Sequence, residues 1–213
     1  MKKKMLMRFA AVALAAGMCI SGAGATYFSD VSSNAWYYDA VTKCSNYDLM
    51  HGYENGTFRP SATMTRAECA QILANLNPEW RAEIIYYDVN YSKWYWNTVS
   101  NYGNYMGGSY TDTNHKTPIG YRVYFYPEKA CTREDFVYGV GNVIGIPTEN
   151  SYSYFDDWGS INPDYMDVIN AMRSYGIIGG DGTGLHGKFN PKQTITRAEV
   201  AQILCNLIEL VES

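Results

Sequence analysis

One spaced motif occurs three times in this chain: Phe-x-Pro, four spacer residues, then Thr-Arg. It reads Phe58-Arg59-Pro60 to Thr65-Arg66, Phe125-Tyr126-Pro127 to Thr132-Arg133, and Phe189-Asn190-Pro191 to Thr196-Arg197. A fixed spacing repeated three times identifies a repeat architecture, in which each unit is too small to bury its own apolar stripe and must pack on its neighbours.

The ends of the motif predict helix starts. Thr65 with Glu68, and Thr196 with Glu199, form the Thr-x-x-Glu pattern in which hydroxyl and carboxylate cap each other's backbone donors. Apolar pairs flank each cap as staples: Met64 with Cys69, Cys131 with Phe136, and Ile195 with Val200. Thr132 opens the same way, but Asp135 stands where the capping Glu is expected. Upstream, each unit begins with an aromatic residue and an Asp two places on: Phe28 and Asp30, Tyr86 and Asp88, Phe155 and Asp157. An Asp there suits the cap or turn before a first helix, which follows from Trp36, Trp94 and Asp164. That helix ends at a glycine-bearing turn aligned at Gly52, Gly108 and Gly180, where a left-handed backbone is expected. Each unit is therefore helix, loop, helix. Repeat two carries an insertion at about 109–123, and an insertion at one equivalent site marks an exposed edge. The fold class is mainly α, with three helix-loop-helix units packed around a shared pseudo-threefold axis and clefts between neighbours.

Arg66, Arg133 and Arg197 take the first helical position, where a cation faces the positive end of the helix dipole at a cost of about 0.3–1 kcal/mol. A recurring partner must offset that cost. Either an external anion meets the guanidinium and free backbone N–H groups, or the arginine pairs with an Asp of its own repeat.

The N-terminus has Lys2, Lys3, Lys4 and Arg8, an apolar run from Phe9 to Ile20, and Ala23-Gly24-Ala25, the form of a secretory leader over 1–25. Removing the leader's four cations takes the formal charge from −4 to −8, which disfavours nucleic acid and anionic membrane as partners. No later run is apolar enough to span a bilayer. Cys44, Cys69, Cys131 and Cys205 remain; they fall at apolar core positions, with a Cys44 to Cys69 bridge as the alternative. His51, His115 and His186 have no ligand-spaced neighbours, so no metal or cofactor is expected. The glycine-rich stretch 179–187 lacks both a phosphate-loop lysine and an acidic ladder and reads as a turn. The regularly placed carboxylates have capping roles and no nucleophile-base set has recognisable spacing, so no enzyme is expected.

The order aromatic-x-Asp-Val, Trp, Gly-Tyr-x-x-Gly-Thr-Phe-x-Pro, Thr-Arg-Ala-Glu resembles the S-layer homology domain, in tandem over 26–77, 84–146 and 153–213. The resemblance implies a three-pronged pseudo-trimer that anchors non-covalently to the bacterial cell wall by binding pyruvylated secondary cell-wall polysaccharide. It implies that Arg66, Arg133 and Arg197 grip the pyruvyl carboxylate, that Gly52, Gly108 and Gly180 line the grooves, and that Trp36 and Trp94 pack beside them. Asp30, Asp88 and Asp157, with Thr65, Glu68, Thr132, Thr196 and Glu199, are assigned to structure. Repeat one is the nearest match and makes the Arg66 groove the leading site. Repeat three departs from the pattern with Asp164 in place of Trp. The alternative role is a stand-alone protein-binding scaffold or adaptor at the cell surface, with the repeat-two insertion as the candidate place for a protein partner.

Overall fold

The computed structural model describes residues 27–78, 83–117, 120–149, 155–181 and 187–213. The expected leader, His186 and the middle of the glycine-rich stretch lie outside the described residues. Among the described residues six α-helices carry the fold: α1 (Tyr38–Asn46), α2 (Arg66–Leu76), α3 (Trp96–Tyr102), α4 (Arg133–Val143), α5 (Met166–Ser174) and α6 (Arg197–Glu212). The insertion folds as a hairpin of β1 (Tyr110–Thr117) and β2 (Gly120–Tyr124), antiparallel, with Tyr110 opposite Tyr124 and an irregularity between Asp112 and Lys116. No helix among the described residues is long and apolar enough to cross a membrane.

The helices form where capping and apolar spacing place them. Thr65 and Thr196 each complete a capping box with Glu68 and Glu199, and Thr132 accepts from the Asp135 N–H. Trp36 and Trp94 lie two residues before the first helices, which begin at Tyr38 and Trp96. Helices pair across units: α2 packs on α3, α4 on α5, and α6 returns to α1. The second helix of each unit thus buries its stripe against the first helix of the next, which closes the chain on itself.

At the centre the residue before each capping Thr joins a ring of three backbone hydrogen bonds. The Met64 N–H donates to the Ile195 carbonyl at 3.1 Å, Ile195 to Cys131 at 3.0 Å, and Cys131 to Met64 at 2.8 Å. All three side chains are buried. Around this ring, the first two N–H groups of α2, α4 and α6 donate to carbonyls of the neighbouring loop: Arg66 and Ala67 to Lys129 and Pro127, Arg133 and Glu134 to Gln193 and Pro191, Arg197 and Ala198 to Ala62 and Pro60. The donors that a helix leaves unpaired at its start are consumed between units. They are not available to an outside anion, which corrects the expectation that free N–H groups help receive one.

The repeated Asp does something other than cap a first helix. Asp30 accepts from the Phe58 and Arg59 N–H groups, both at 2.7 Å; Asp88 from Phe125 and Tyr126; Asp157 from Phe189 and Asn190. The middle residue of each Phe-x-Pro sits at φ of 57–58°, so two successive N–H groups converge on one carboxylate. Each leading aromatic ring packs on the Phe of the same motif at 5.0–5.3 Å between centroids. The left-handed turn is also displaced from its expected place. Asp48 (φ 59°) and Gly176 (φ 74°) stop α1 and α5, whereas of Gly52, Gly108 and Gly180 only Gly108 (φ 77°) is left-handed. Gly52 is required for closeness, since a Cβ there would stand 2.2 Å from the Phe28 ring.

The four cysteines among the described residues are free and buried. Cys44 donates to the Ala201 carbonyl at 3.3 Å across the α1–α6 contact, and the neighbour of Cys69 is Cys131 and not Cys44.

Replacing Asp30 by Ala removes two charge-assisted hydrogen bonds that tie Phe-x-Pro to the start of its unit. We expect a loss of about 2–3 kcal/mol of stability, read as a lower urea midpoint at unchanged slope. An unchanged midpoint would remove the clamp from this account.

Candidate functional site

Each arginine leaves the start of its helix and reaches over the Phe-x-Pro of the following unit, and its guanidinium lies on that phenyl ring. Arg66 stacks on Phe125 at 4.5 Å, Arg133 on Phe189 at 5.3 Å and Arg197 on Phe58 at 4.4 Å. The acid at the third helical position of the neighbouring unit faces Arg66 and Arg133: Asp135 stands 3.0 Å from Arg66 and Glu199 stands 3.6 Å from Arg133. Arg66 and Arg133 are thus answered by acids, but by acids of the neighbouring repeat and not of their own.

The three surroundings differ. Arg66 is 1% exposed, with Nε donating to the Phe125 carbonyl at 2.7 Å and Nη1 to Asp135. Arg197 is buried, donating from Nε to the Phe58 carbonyl at 2.7 Å and from Nη2 to the His51 carbonyl at 2.6 Å, next to Gly52. Arg133 is held by longer contacts, 3.5 Å to the Gly179 carbonyl and 3.6 Å to Glu199, and it borders a cleft of about 300 Å³.

That cleft is assembled from all three units. Trp36 comes from the first, Arg133 from the second, and Gly180, Lys188 and Phe189 from the third. Gly180 is required because a Cβ would stand 2.9 Å from the Gly187 backbone, where the loop folds back. Asp181 accepts from the Lys188 N–H and the Asn190 amide, which keeps its carboxyl below the usual range and fixes the loop rim. Burial pulls the Arg133 guanidinium below its ordinary range while Glu199 opposes the shift; a cation so desolvated gains most from an incoming anion. Trp36 presents an indole that is 64% exposed at the rim. The arrangement offers a forked donor, a close backbone and a flat apolar face, which suits a sugar ring carrying an acid group. Among the described residues no group of three or more His, Cys, Asp or Glu is placed to hold a metal.

Of the residues expected to meet a ligand, Trp36, Arg133 and Gly180 come together here. Arg66 and Gly108 also adjoin, since a Cβ on Gly108 would stand 2.8 Å from Arg66 Nη1. Their groove is filled by protein, and Arg66, expected to lead, is buried within it. Trp94, 63% exposed, packs edge-on against Tyr95 in the turn before α3. Sequence reasoning missed Asn75, Asn142 and Asn206, which donate to the carbonyls of Leu49, Tyr105 and Ile177 at the ends of the first helices. Their signal was available: each lies nine positions after its arginine.

The family model of the S-layer homology domain matches residues 27–70 and 154–201, and the hairpin-bearing stretch lies outside the match. Along 99% of its length the chain is 29% identical to a "Surface-layer 125 kDa protein" of Lysinibacillus sphaericus, of which it covers 17%. It is 28% identical over 85% of its length to "Exoglucanase XynX" of Acetivibrio thermocellus, covering 16% of that protein. The chain spans about a sixth of the length of these relatives.

Gly108→Ala should cost about 1–3 kcal/mol, because it combines a left-handed φ with a clash at Arg66 and Asp135. Gly159→Ala, where a Cβ meets nothing within 4 Å, should cost less than about 0.5 kcal/mol. Thermal unfolding of the two variants checks the difference.

Proposed function

The chain carries S-layer homology domains, and on that premise we propose that it anchors to the bacterial cell wall by binding an acidic wall polysaccharide, without catalysis. The ligand we infer is a pyruvylated secondary cell-wall polysaccharide, taken in the Arg133 cleft. The observation that carries this reading is the meeting of Arg133, Gly180 and Trp36, one residue from each unit, around one open cleft. The Arg133 fork would grip the pyruvyl carboxylate, the glycine backbone would allow the sugar close, and the Trp36 face would stack on a ring. Lys188 at the rim adds attraction for an anion.

Behind the site stands a structural reading: three units at 26–77, 84–146 and 153–213 arranged with pseudo-threefold symmetry. The cyclic backbone ring, the three Asp clamps and the three arginine–phenyl stacks support it. The same symmetry assigns Trp94 to the cleft of Arg197 and Gly52. Export through the 1–25 leader would deliver the protein to the wall.

A second role rests on the hairpin. Tyr87, Tyr110, Tyr121 and Tyr126 are each at least 40% exposed beside an otherwise two-stranded sheet. A surface of this kind suits a protein partner at the cell surface, held in addition to the wall.

Arg133→Ala should lower co-sedimentation of the protein with purified wall sacculi at least tenfold, with thermal unfolding within a few degrees of wild type. The loss of one forked, desolvated ion pair accounts for about 1.5–3 kcal/mol, roughly one to two decades of affinity. Retention of full co-sedimentation would remove Arg133 from the mechanism.

A further inference from the structure

The groove at Arg66 repeats the arginine and the glycine of the Arg133 cleft, yet the protein fills it. Three sequence departures meet there. At position 135 an Asp replaces the Glu of the other two units. Glu68 and Glu199 reach back to the N–H groups of Thr65 and Thr196 at 2.7 and 2.8 Å, and so are held as caps. Asp135 is one methylene shorter, no capping box forms at Thr132, and its carboxylate turns to Arg66 Nη1 at 3.0 Å. At position 134 a Glu replaces the Ala of the other two units, and it accepts from the Asn162 N–H at 3.0 Å while pairing with Lys192. Asn162 in turn caps the turn Pro163–Tyr165. That turn sets Tyr165, stacked on Tyr138 at 4.2 Å, so that the Gly108 N–H donates to its hydroxyl at 2.9 Å. Finally, Asp164 stands where the first two units carry Trp36 and Trp94.

The result reproduces a bound ligand from within. A carboxylate sits on the arginine fork, a hydroxyl takes the glycine N–H, and an aromatic ring closes the groove. The fork is not saturated: Arg66 Nη2 is buried with no hydrogen-bond partner among the described residues, so the site has donor capacity beyond what Asp135 uses. We propose that the Arg66 groove is a second carboxylate-binding site occupied by the chain's own Asp135 and Tyr165, so that an acidic glycan is turned away at Arg66 and admitted at Arg133. This rests on the anchoring reading for the identity of the outside ligand, though not for the self-occupancy.

Two experiments on the whole chain test it. In the first, Asp135→Ala empties the carboxylate position, and thermal unfolding is followed with sodium formate against sodium chloride at equal ionic strength. Formate should raise the midpoint of the variant by several degrees more than that of wild type, because it binds the folded state alone. Equal shifts would overturn the proposal, since a sealed ion pair admits no outside carboxylate. If Asp135→Ala does not fold, Asp135→Ser replaces it in the first experiment; the second uses the folded variant with Tyr165→Ala added, which clears the ring that closes the groove. Calorimetric titration of that double variant with fragments of pyruvylated wall polysaccharide should count one more site per chain than wild type. An unchanged count beside a wild type that binds would overturn the self-occupied groove and leave anchoring standing. A wild type that binds nothing would overturn anchoring, and the formate comparison would still decide the groove.

Discussion

The fold depends on three backbone hydrogen bonds that close a circle through Met64, Ile195 and Cys131. Each residue stands immediately before a capping Thr, so the circle fixes the starting points of α2, α4 and α6 relative to one another. Once those starts are fixed, the first two N–H groups of each helix find carbonyls in the next loop, and each arginine is carried onto the next unit's Phe ring. No unit satisfies the first two N–H groups of its own helix start. The buried backbone donors are paired only when all three units are present, which makes the assembly cooperative.

The same dependence explains how one sequence position acquires different roles. Arg66, Arg133 and Arg197 share a backbone setting, and what distinguishes them comes from the neighbour: Asp135 and Tyr165 against Arg66, the His51 carbonyl against Arg197, a longer contact to Glu199 at Arg133. An open cleft follows where the neighbour's acid is held by its own cap, and a filled one where that acid is too short to cap. A difference of one methylene, Glu to Asp, thus moves a carboxylate from a structural to a ligand-like position.

Local features were legible in the sequence because they are set by residues close in the chain. Capping boxes at Thr65 and Thr196, apolar spacing in α2 and α6, and the recurrence of the arginines all appear as short patterns. The partners were not legible, because periodicity shows which face a helix buries and not what covers it. Hence the pairing of α6 with α1, the acids supplied to Arg66 and Arg133 by the next unit, and the clamp from Asp30 across to Phe58 emerged only from the structure. The hairpin escaped detection because β1 runs Thr-Asp-Thr-Asn-His-Lys with few apolar residues to show alternation. Alignment of the glycines predicts the left-handed stop at Gly52, Gly108 and Gly180, whereas Asp48 and Gly176 supply it after α1 and α5. The chemistry of the site was visible in residue types; which groove stands open was decided by residues in a different unit.

The most direct test of the account is calorimetric titration of the wild-type protein with pyruvylated wall polysaccharide, beside the same polymer with its pyruvate removed by mild acid. Recognition by Arg133 requires saturable binding to the first polymer and its loss with the second, with the heat falling as salt is raised. Equal binding to both polymers would contradict the role assigned to the arginine fork, and binding to neither would contradict wall anchoring itself.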